Sequence, residues 1–405
     1  MIPKQIIQKI HYDKIFIDFF LKKKFNNHNK LFSYLSNIFG VKKKLIFLGR
    51  ARTGIFLAIK ILLNEQKPKV LMSSFTIPDV VNMVICAGGI PVFLDFDKNT
   101  TFLNILELKK IIKKKDCSVL ILTHYNINDI NYKKIYEICK KNKIKLIEDC
   151  AISIGGKANN YKIGSLSDST IYSFSSFKFI NFFYGGLIHF KKKIYFENAK
   201  KITRKWKKLK FLNYFEPLSK AIKFQIITSK AIYYFLVKIF YLGFIKKNSI
   251  EKKNIKFYLN KMDSSYYSLP AEPFFFEFER KILNFKKYQN HRRKISSIYL
   301  KFLKPISIPH NLSQELIDNS SCYSYLIKVK NKNKLRKKLA DLGYDTGYAM
   351  YPNCHKYKNY QSFEGNSKNV DDLIKHCISL PTHQYITSDY AKKISIAVIS
   401  NLNVK

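Results

Sequence analysis

The sequence predicts an α/β protein with a mostly parallel seven-stranded sheet, covered by helices on both faces, and a smaller C-terminal α/β domain. Two observations predict it. Between residues 44 and 191, seven short apolar runs alternate with helix-like stretches, the pattern of a parallel sheet sandwiched between helices. After residue 262 a helical run, a strand and a capped helix follow one another again on a smaller scale.

The seven runs are residues 45–48, 70–72, 91–94, 119–122, 144–147, 170–174 and 187–190. Among the segments between them, 55–63 is apolar on nearly all sides and reads as a buried helix. Residues 131–142 carry Ile135, Tyr136, Ile138 and Cys139, which gives one buried helical stripe. Residues 192–260 change character, with a basic helix around Trp206 and then an aromatic-rich stretch, and read as a connecting or inserted helical region. From about 262 a helical run ends in His291-Arg292-Arg293. A strand over 323–328 and a helix over 334–342, closed by Gly343 as its C-cap, complete a small α/β unit. The expected division is a large domain over 1–260 and a small one over 261–405.

With 405 residues, 46% of them hydrophobic, the chain has ample material for a core, which excludes general disorder. It carries 73 basic against 28 acidic residues, a net charge of +45, so its partners should be anionic. Nucleic acid is disfavoured: the excess is mostly Lys scattered in short runs, Arg, the base-reading residue, is scarce, and no recognition motif accompanies the charge. The seven cysteines are odd in number, far apart and without a C-x-x-C pair, which suggests neither a disulfide framework nor a metal site. The first residues meet a charge every few positions and do not read as a secretory signal, so a cytoplasmic protein is expected. Residues 211–245 are rich in Phe, Tyr, Ile and Leu, but Lys220, Lys223, Lys230 and Lys238 interrupt every candidate membrane span. They read as a helix packed on the protein or on a dimer partner, or as a basic amphipathic element on an anionic membrane surface.

Sites of open α/β sheets lie beyond the carboxyl ends of the strands, and three strand ends carry candidate chemistry. The run 146–149 ends in Glu148 and Asp149. Neighbours in a strand point to opposite faces, so one of the two acids faces a given ligand. Buried, it needs a partner such as a cationic ring nitrogen, while metal binding and helix capping are the other uses of an acid here. The second end runs from Ser173 and Ser175 to Lys178, followed by Tyr184-Gly185-Gly186. Lys178 stands among Phe177, Phe179, Ile180, Phe182 and Phe183, whose desolvation would lower its pKa as a Schiff-base lysine requires. The hydroxyls of Ser173 and Ser175 could bind a phosphate, and the glycine pair permits close backbone approach. The third end, Gly49-Arg50-Ala51-Arg52-Thr53-Gly54, opens a helix whose free N–H groups suit a phosphate, with Ala51, Thr53 and Gly54 small enough to let it near.

Taken in order, these motifs resemble the DegT/DnrJ-type sugar aminotransferases, which depend on pyridoxal phosphate and belong to the fold-type I, aspartate aminotransferase-like class. Residues 49–57 resemble the family's phosphate turn. Ser74-Phe75-Thr76 with residues 87–95, ending in Asp95, resembles its next βα unit, and Glu148-Asp149-Cys150-Ala151 its pyridine-binding strand. Asp149 and Lys178 lie 29 residues apart, similar to the family's spacing. Tyr351-Pro352, His355, Ser379-Leu380-Pro381-Thr382-His383 and Thr387 resemble the family's small-domain motifs, so the similarity spans roughly residues 20–400.

The resemblance implies that Lys178 anchors pyridoxal phosphate covalently and then moves protons. It implies that Asp149 pairs with the pyridine nitrogen, and that Ser173 and the backbone around Ala51, Arg52 and Thr53 bind the phosphate. Thr76, Ile77 and Ile152 occupy further cofactor-contacting positions. Related sugar dehydratases carry histidine where this chain keeps Lys178. The implied activity is transfer of an amino group from an amino acid, glutamate in the first instance, to a keto sugar of the nucleotide-linked 4-keto-6-deoxyhexose type, in amino-sugar or surface-polysaccharide biosynthesis. A homodimer with shared active sites is expected. The chain departs from the family at Ile152, where Gln or His is usual, and at Ile77, where an aromatic commonly stacks on the ring. Residues 264–270 replace the segment that normally reaches into the partner's site. These departures motivate the alternative of a catalytically inactive binding or regulatory subunit on the same fold. His124, at a strand end, could line the pocket or be structural.

Overall fold

The computed structural model describes residues 2, 14, 15, 17, 21, 25–41, 44–114, 116–175, 177, 178, 180, 185–210, 213, 215–229, 232–236, 262, 264–348 and 351–402. All seven apolar runs become strands of one sheet: β1 (Leu45–Leu48), β2 (Lys69–Ser73), β3 (Ile90–Leu94), β4 (Cys117–Thr123), β5 (Lys145–Asp149), β6 (Ser169–Ser173) and β7 (Gly186–Phe190). Their spatial order is β1-β7-β6-β5-β4-β2-β3. Strand β7 runs antiparallel to both of its neighbours, and the pairs from β6 through β3 are parallel.

Both faces of the sheet are dry, which is why its strands read as continuous apolar runs. Leu71, Val92, Leu120 and Leu146 enter one apolar cluster, and their neighbours Val70, Met72, Val119, Ile121 and Ile147 enter the other. The covering helices are α1 (His28–Phe39), α2 (Ala51–Leu62), α3 (Pro78–Cys86), α4 (Ile105–Ile112), α5 (Tyr132–Lys141) and α6 (Lys193–Thr203). Helix α5 buries Tyr132, Ile135 and Cys139, the predicted stripe, while Tyr136 and Ile138 are only partly buried beside it. Trp206 is not in a helix: α6 ends at Thr203, and the indole is buried edge-on to Tyr267 at 5.7 Å.

Helix α7 (Phe215–Ile227) is followed by residues of which 237–261 lie outside the described set. Residues 207–208 pair in parallel with 268–269. The helical run expected from 262 is two helices, α8 (Glu272–Ile282) and α9 (Phe285–Leu303). Phe275 and Phe278 of α8 pack on Phe47 of β1, with ring centroids 5.0 and 5.5 Å apart. We propose the two-unit division in this form: the chain after residue 260 crosses back over the large sheet before α9 leads into the small one.

The small sheet comprises β8 (Ser307–Ile308), β9 (Ser324–Lys328), β10 (Gly347–Tyr348) and β11 (Cys377–Pro381) in the order β8-β9-β11-β10, every pair antiparallel. Helices α10 (Gln314–Asn319), α11 (Lys332–Asp341), α12 (Lys368–His376) and α13 (Ser388–Ser400) complete it. Gly343 follows α11 with φ +87°, the left-handed position expected after a helix end. Asp95, just past β3, accepts from the N–H groups of Asn369 (2.8 Å) and Val370 (3.0 Å) in the first turn of α12. An acid of the large unit thus caps a helix of the small one. Among the described residues, no helix is long and apolar enough to cross a membrane.

Candidate functional site

The site collects at the carboxyl ends of β1, β2, β4, β5 and β6. Between β1 and α2, Arg50 is the N-cap in extended conformation; its side chain makes no capping bond, and the first turn of α2 contains no acid. Free N–H groups at the positive end of a helix, flanked by two arginines, form a place that an anion would stabilise. Arg52 pairs with Asp79 at 2.5 Å, and the Arg50 guanidinium lies over the Tyr266 ring at 4.9 Å. Tyr266 belongs to the segment 264–270 that motif comparison leaves unaligned, and the fold lays this segment across the turn. The Ser268 carbonyl accepts from Gly49 N–H at 2.8 Å.

Three small residues also have partners within the fold. A Cβ on Gly54 would fall 3.2 Å from Ile171 and 3.3 Å from Leu48, so this glycine seats α2 on the sheet and is not reserved for a phosphate. A Cβ on Gly186 would lie 2.4 Å from Ala51 Cα. The close approach it permits is of β7 to the turn itself. The Thr53 hydroxyl donates to the Tyr266 carbonyl at 3.3 Å, which leaves its backbone N–H for a ligand. Ser173 ends β6 as a buried residue, and among the described residues its hydroxyl makes no hydrogen bond.

The paired acids divide their work. Glu148 is fully buried and bonds His124 Nε2 at 2.8 Å, Gly164 N–H at 2.8 Å and Ser167 N–H at 3.1 Å. Burial alone would raise its pKa, but the hydrogen bond and charge of His124 with these donors hold it below the usual range. His124 is therefore structural. Cys150 lies within 4.8 Å of both, yet burial keeps its thiol protonated and the Glu148 oxygens already have donors. Asp149, pointing the other way, receives one bond, from Ala151 N–H at 3.0 Å. Burial pushes its carboxyl up, opposed by that N–H and by the positive charges of Lys178 and His124.

Lys178 is half-buried. Burial pulls its ammonium from the ordinary 10.5 down to about 8, against the pull of Asp149 and with help from Arg52. Of the apolar neighbours expected to desolvate it, Ile180 is buried and Phe177 is 37% exposed. Phe179, Phe182, Phe183 and Tyr184 lie outside the described residues, as does Ser176. The small unit reaches this loop through Tyr323, whose hydroxyl donates to the Phe177 carbonyl. Tyr323 is itself held by the buried Arg292, which donates to the Tyr323 carbonyl at 2.6 Å and to Thr382 at 3.0 Å and lies over the ring at 5.2 Å. Facing Asp149 is an aromatic wall: Tyr351 contacts Phe75 and Tyr125 at 5.4 and 6.0 Å, and burial, with the Asp149 charge, holds its phenol protonated.

Several positions named from sequence serve the frame. Ile152 is buried in the core beneath β5, and its carbonyl accepts from Ser321 at 2.8 Å. Ile77 is the N-cap of α3, and the carbonyl of buried Thr76 accepts from the Cys354 thiol at 3.1 Å. His355 bonds the Phe363 carbonyl and packs on Phe93. Thr387 caps α13, and Thr382 ties β11 to Cys322. Sequence reading missed Tyr323, Arg292 and Tyr266. Arg292 carried a signal, because it sits on the buried stripe of α9 with Phe285, Gln289, Ile295, Ser296 and Tyr299, where a charge must have a partner.

An α/β unit with a reversed strand β7, a lysine loop after β6 and an acid at the end of β5 defines the fold of the aminotransferase class. The chain belongs to the DegT/DnrJ/EryC1/StrS aminotransferase family, whose model matches residues 24–214 and 279–399. It is 28% identical over 134 residues to the GDP-perosamine synthase of Vibrio cholerae, a stretch that covers 33% of this chain and 36% of that one. Matches to the curated relatives span little more than a third of their length. Over the whole fold it is similar to the aminotransferase TlmJ from Streptoalloteichus hindustanus (TM-score 0.74, 16% identity, 99% of each chain). It is likewise similar to Helicobacter pylori PseC, an aminotransferase involved in the biosynthesis of pseudoaminic acid (TM-score 0.73, 17% identity, 98% of each chain).

Proposed function

We propose that the protein is a pyridoxal-phosphate-dependent aminotransferase that moves an amino group from an amino acid, glutamate in the first instance, to a nucleotide-linked keto sugar. The observation that carries this reading is the pairing of a half-buried Lys178, its ammonium drawn down to about 8, with a buried Asp149 that feels its charge. The residues present fit the cofactor. Asp149 lacks a cation at its second oxygen among the described residues, and a pyridinium N–H would offset its burial. Ser173 and the N–H groups of Ala51, Arg52 and Thr53 would take the phosphate. When bound, pyridoxal phosphate supplies an electron sink for the carbon that carries the amino group. Lys178 would tether it, then, released as a neutral amine, accept and return the proton at that carbon. Asp149 keeps the ring nitrogen protonated, and Tyr323 holds the lysine loop in place.

The sugar class follows the relatives, which include a GDP-perosamine synthase and a UDP-4-amino-4,6-dideoxy-N-acetyl-beta-L-altrosamine transaminase. A 4-keto-6-deoxyhexose acceptor, amino-sugar or polysaccharide biosynthesis and a homodimer in the cytoplasm complete the proposal. Borohydride reduction of the loaded protein followed by peptide mapping should place the cofactor on Lys178. Glutamate should then abolish the visible band of the lysine-bound cofactor in unreduced protein. A loaded protein whose spectrum ignores amino acids would favour the inactive-subunit reading, which the apolar Ile77 and Ile152 support. Screening keto sugars against the aminated form by mass would identify the acceptor.

A further inference from the structure

Residues 215–235 expose Phe215, Ile222, Ile226, Ile227, Ile232 and Phe235, each between 42% and 65% open. In α7 the first three are seven and eleven positions apart, which at about 100° per residue keeps them within roughly 40° of one face. Lys223 is exposed on the flank of that stripe, and Lys220 is exposed further round the helix. The segment is held beside and behind that stripe: Leu218, on one flank, is buried, Phe224, on the opposite face, meets Phe177 edge-on at 4.9 Å, and the Tyr233 hydroxyl donates to Asp345 at 2.5 Å. The apolar stripe is therefore turned outward by contacts that fix its back.

The family model matches the chain on either side, over 24–214 and 279–399, and leaves this stretch unmatched. Residues 211–245 carry four lysines and one acid in a chain of net charge +45. A second copy of the same face is a poor occupant, because a two-fold contact would set its lysines against each other. Nucleic acid offers nothing to an isoleucine stripe. An apolar face flanked by lysines suits an anionic bilayer, in which the helix lies in the headgroup plane. We infer that α7 and residues 232–235 dock this protein peripherally on anionic phospholipid, with Phe177 packed behind the docked face.

The test is vesicle flotation with the full, cofactor-loaded chain. Vesicles of phosphatidylcholine containing phosphatidylglycerol should carry it at least about tenfold better than phosphatidylcholine alone, and added salt should weaken the binding. The double variant I222D/I226D should lose at least about tenfold of that binding, with far-UV circular dichroism and oligomeric mass unchanged. K223E alters an exposed charge on the flank of the stripe, and it should weaken the preference for anionic lipid. Equal flotation with both vesicle types, or wild-type flotation by both variants, overturns the inference. So does loss of oligomeric mass in I222D/I226D without a change in flotation, which would make the face a contact between copies.

Discussion

Replacing Lys178 by methionine should stabilise the cofactor-free protein near neutral pH, and the gain should vanish as the solution becomes alkaline. Methionine keeps the length of the side chain and removes the charge. Burial lowers the ammonium from 10.5 to about 8. At about 1.4 kcal/mol per pH unit this penalises the folded state by about 3 kcal/mol, and the solvent-facing part of the side chain trims it to about 2 kcal/mol. Below pH 8 the lysine is protonated in both states, so the penalty is constant and at its largest. From pH 8 to 10.5 the unfolded chain holds a proton that the folded site has lost, so wild-type stability climbs with pH relative to the variant. Above 10.5 both forms are neutral and the two proteins converge. Urea denaturation of both, followed by circular dichroism at steps across this range, isolates the lysine because titrations that do not feel its charge cancel. A wild-type minus variant difference that stays flat from neutral pH to above 10.5 would refute the reading. The same depression matters to chemistry: at pH 7 roughly 300-fold more of the amine is neutral than for an ordinary lysine.

Three further perturbations separate site from frame. Asp149→Asn should retain cofactor on Lys178 by borohydride mapping yet lower turnover on the order of a hundredfold, since a neutral amide cannot hold the ring nitrogen protonated. His124→Ala leaves Glu148 buried without its partner and should cost about 3 to 5 kcal/mol in urea denaturation. Because His124 holds Glu148 below its ordinary value, that stabilisation is present above the ordinary value and lost as pH falls, so the deficit of the variant should be largest near neutral pH and shrink towards acid. Tyr323→Phe removes the donor to Phe177 and should cost about 1 kcal/mol, with kcat falling more than KM changes.

Seven strands were legible because a sheet covered on both faces demands unbroken apolar runs, and the structure moves their bounds by a residue or two. Lys178 and Asp149 were legible because each follows such a run, at a spacing the resemblance supports. What stayed hidden depends on contacts distant in sequence. The break between α8 and α9 has no proline or glycine to mark it: Leu283 and Asn284 stand there, and the chain turns because Phe278 and Phe285 both enter the large-sheet core. Residues 264–270 matched no motif, yet Tyr266 lies under Arg50 and Ser268 holds Gly49. No local pattern announces a contact more than two hundred positions away.

Hydrogen-bond saturation distinguishes the two uses of a polar group at a strand end. Glu148 and Asp149 are adjacent, equally acidic and both buried, and nothing in the run 145–149 ranks them. Glu148 has three donors on its two oxygens, so a ligand reaching it would have to displace bonds already made. Asp149 has one and keeps a raised pKa, the mark of a group whose charge is still to be compensated. Asp95 and Arg292 fall on the saturated side: Asp95 caps α12, and Arg292 spends its donors on Tyr323 and Thr382. Ser173 falls on the other side. By this criterion the groups left for a ligand are Lys178, Asp149, Ser173 and the N–H groups opening α2, a set with a nucleophilic amine, an anion and a phosphate-sized cradle at one edge of the sheet.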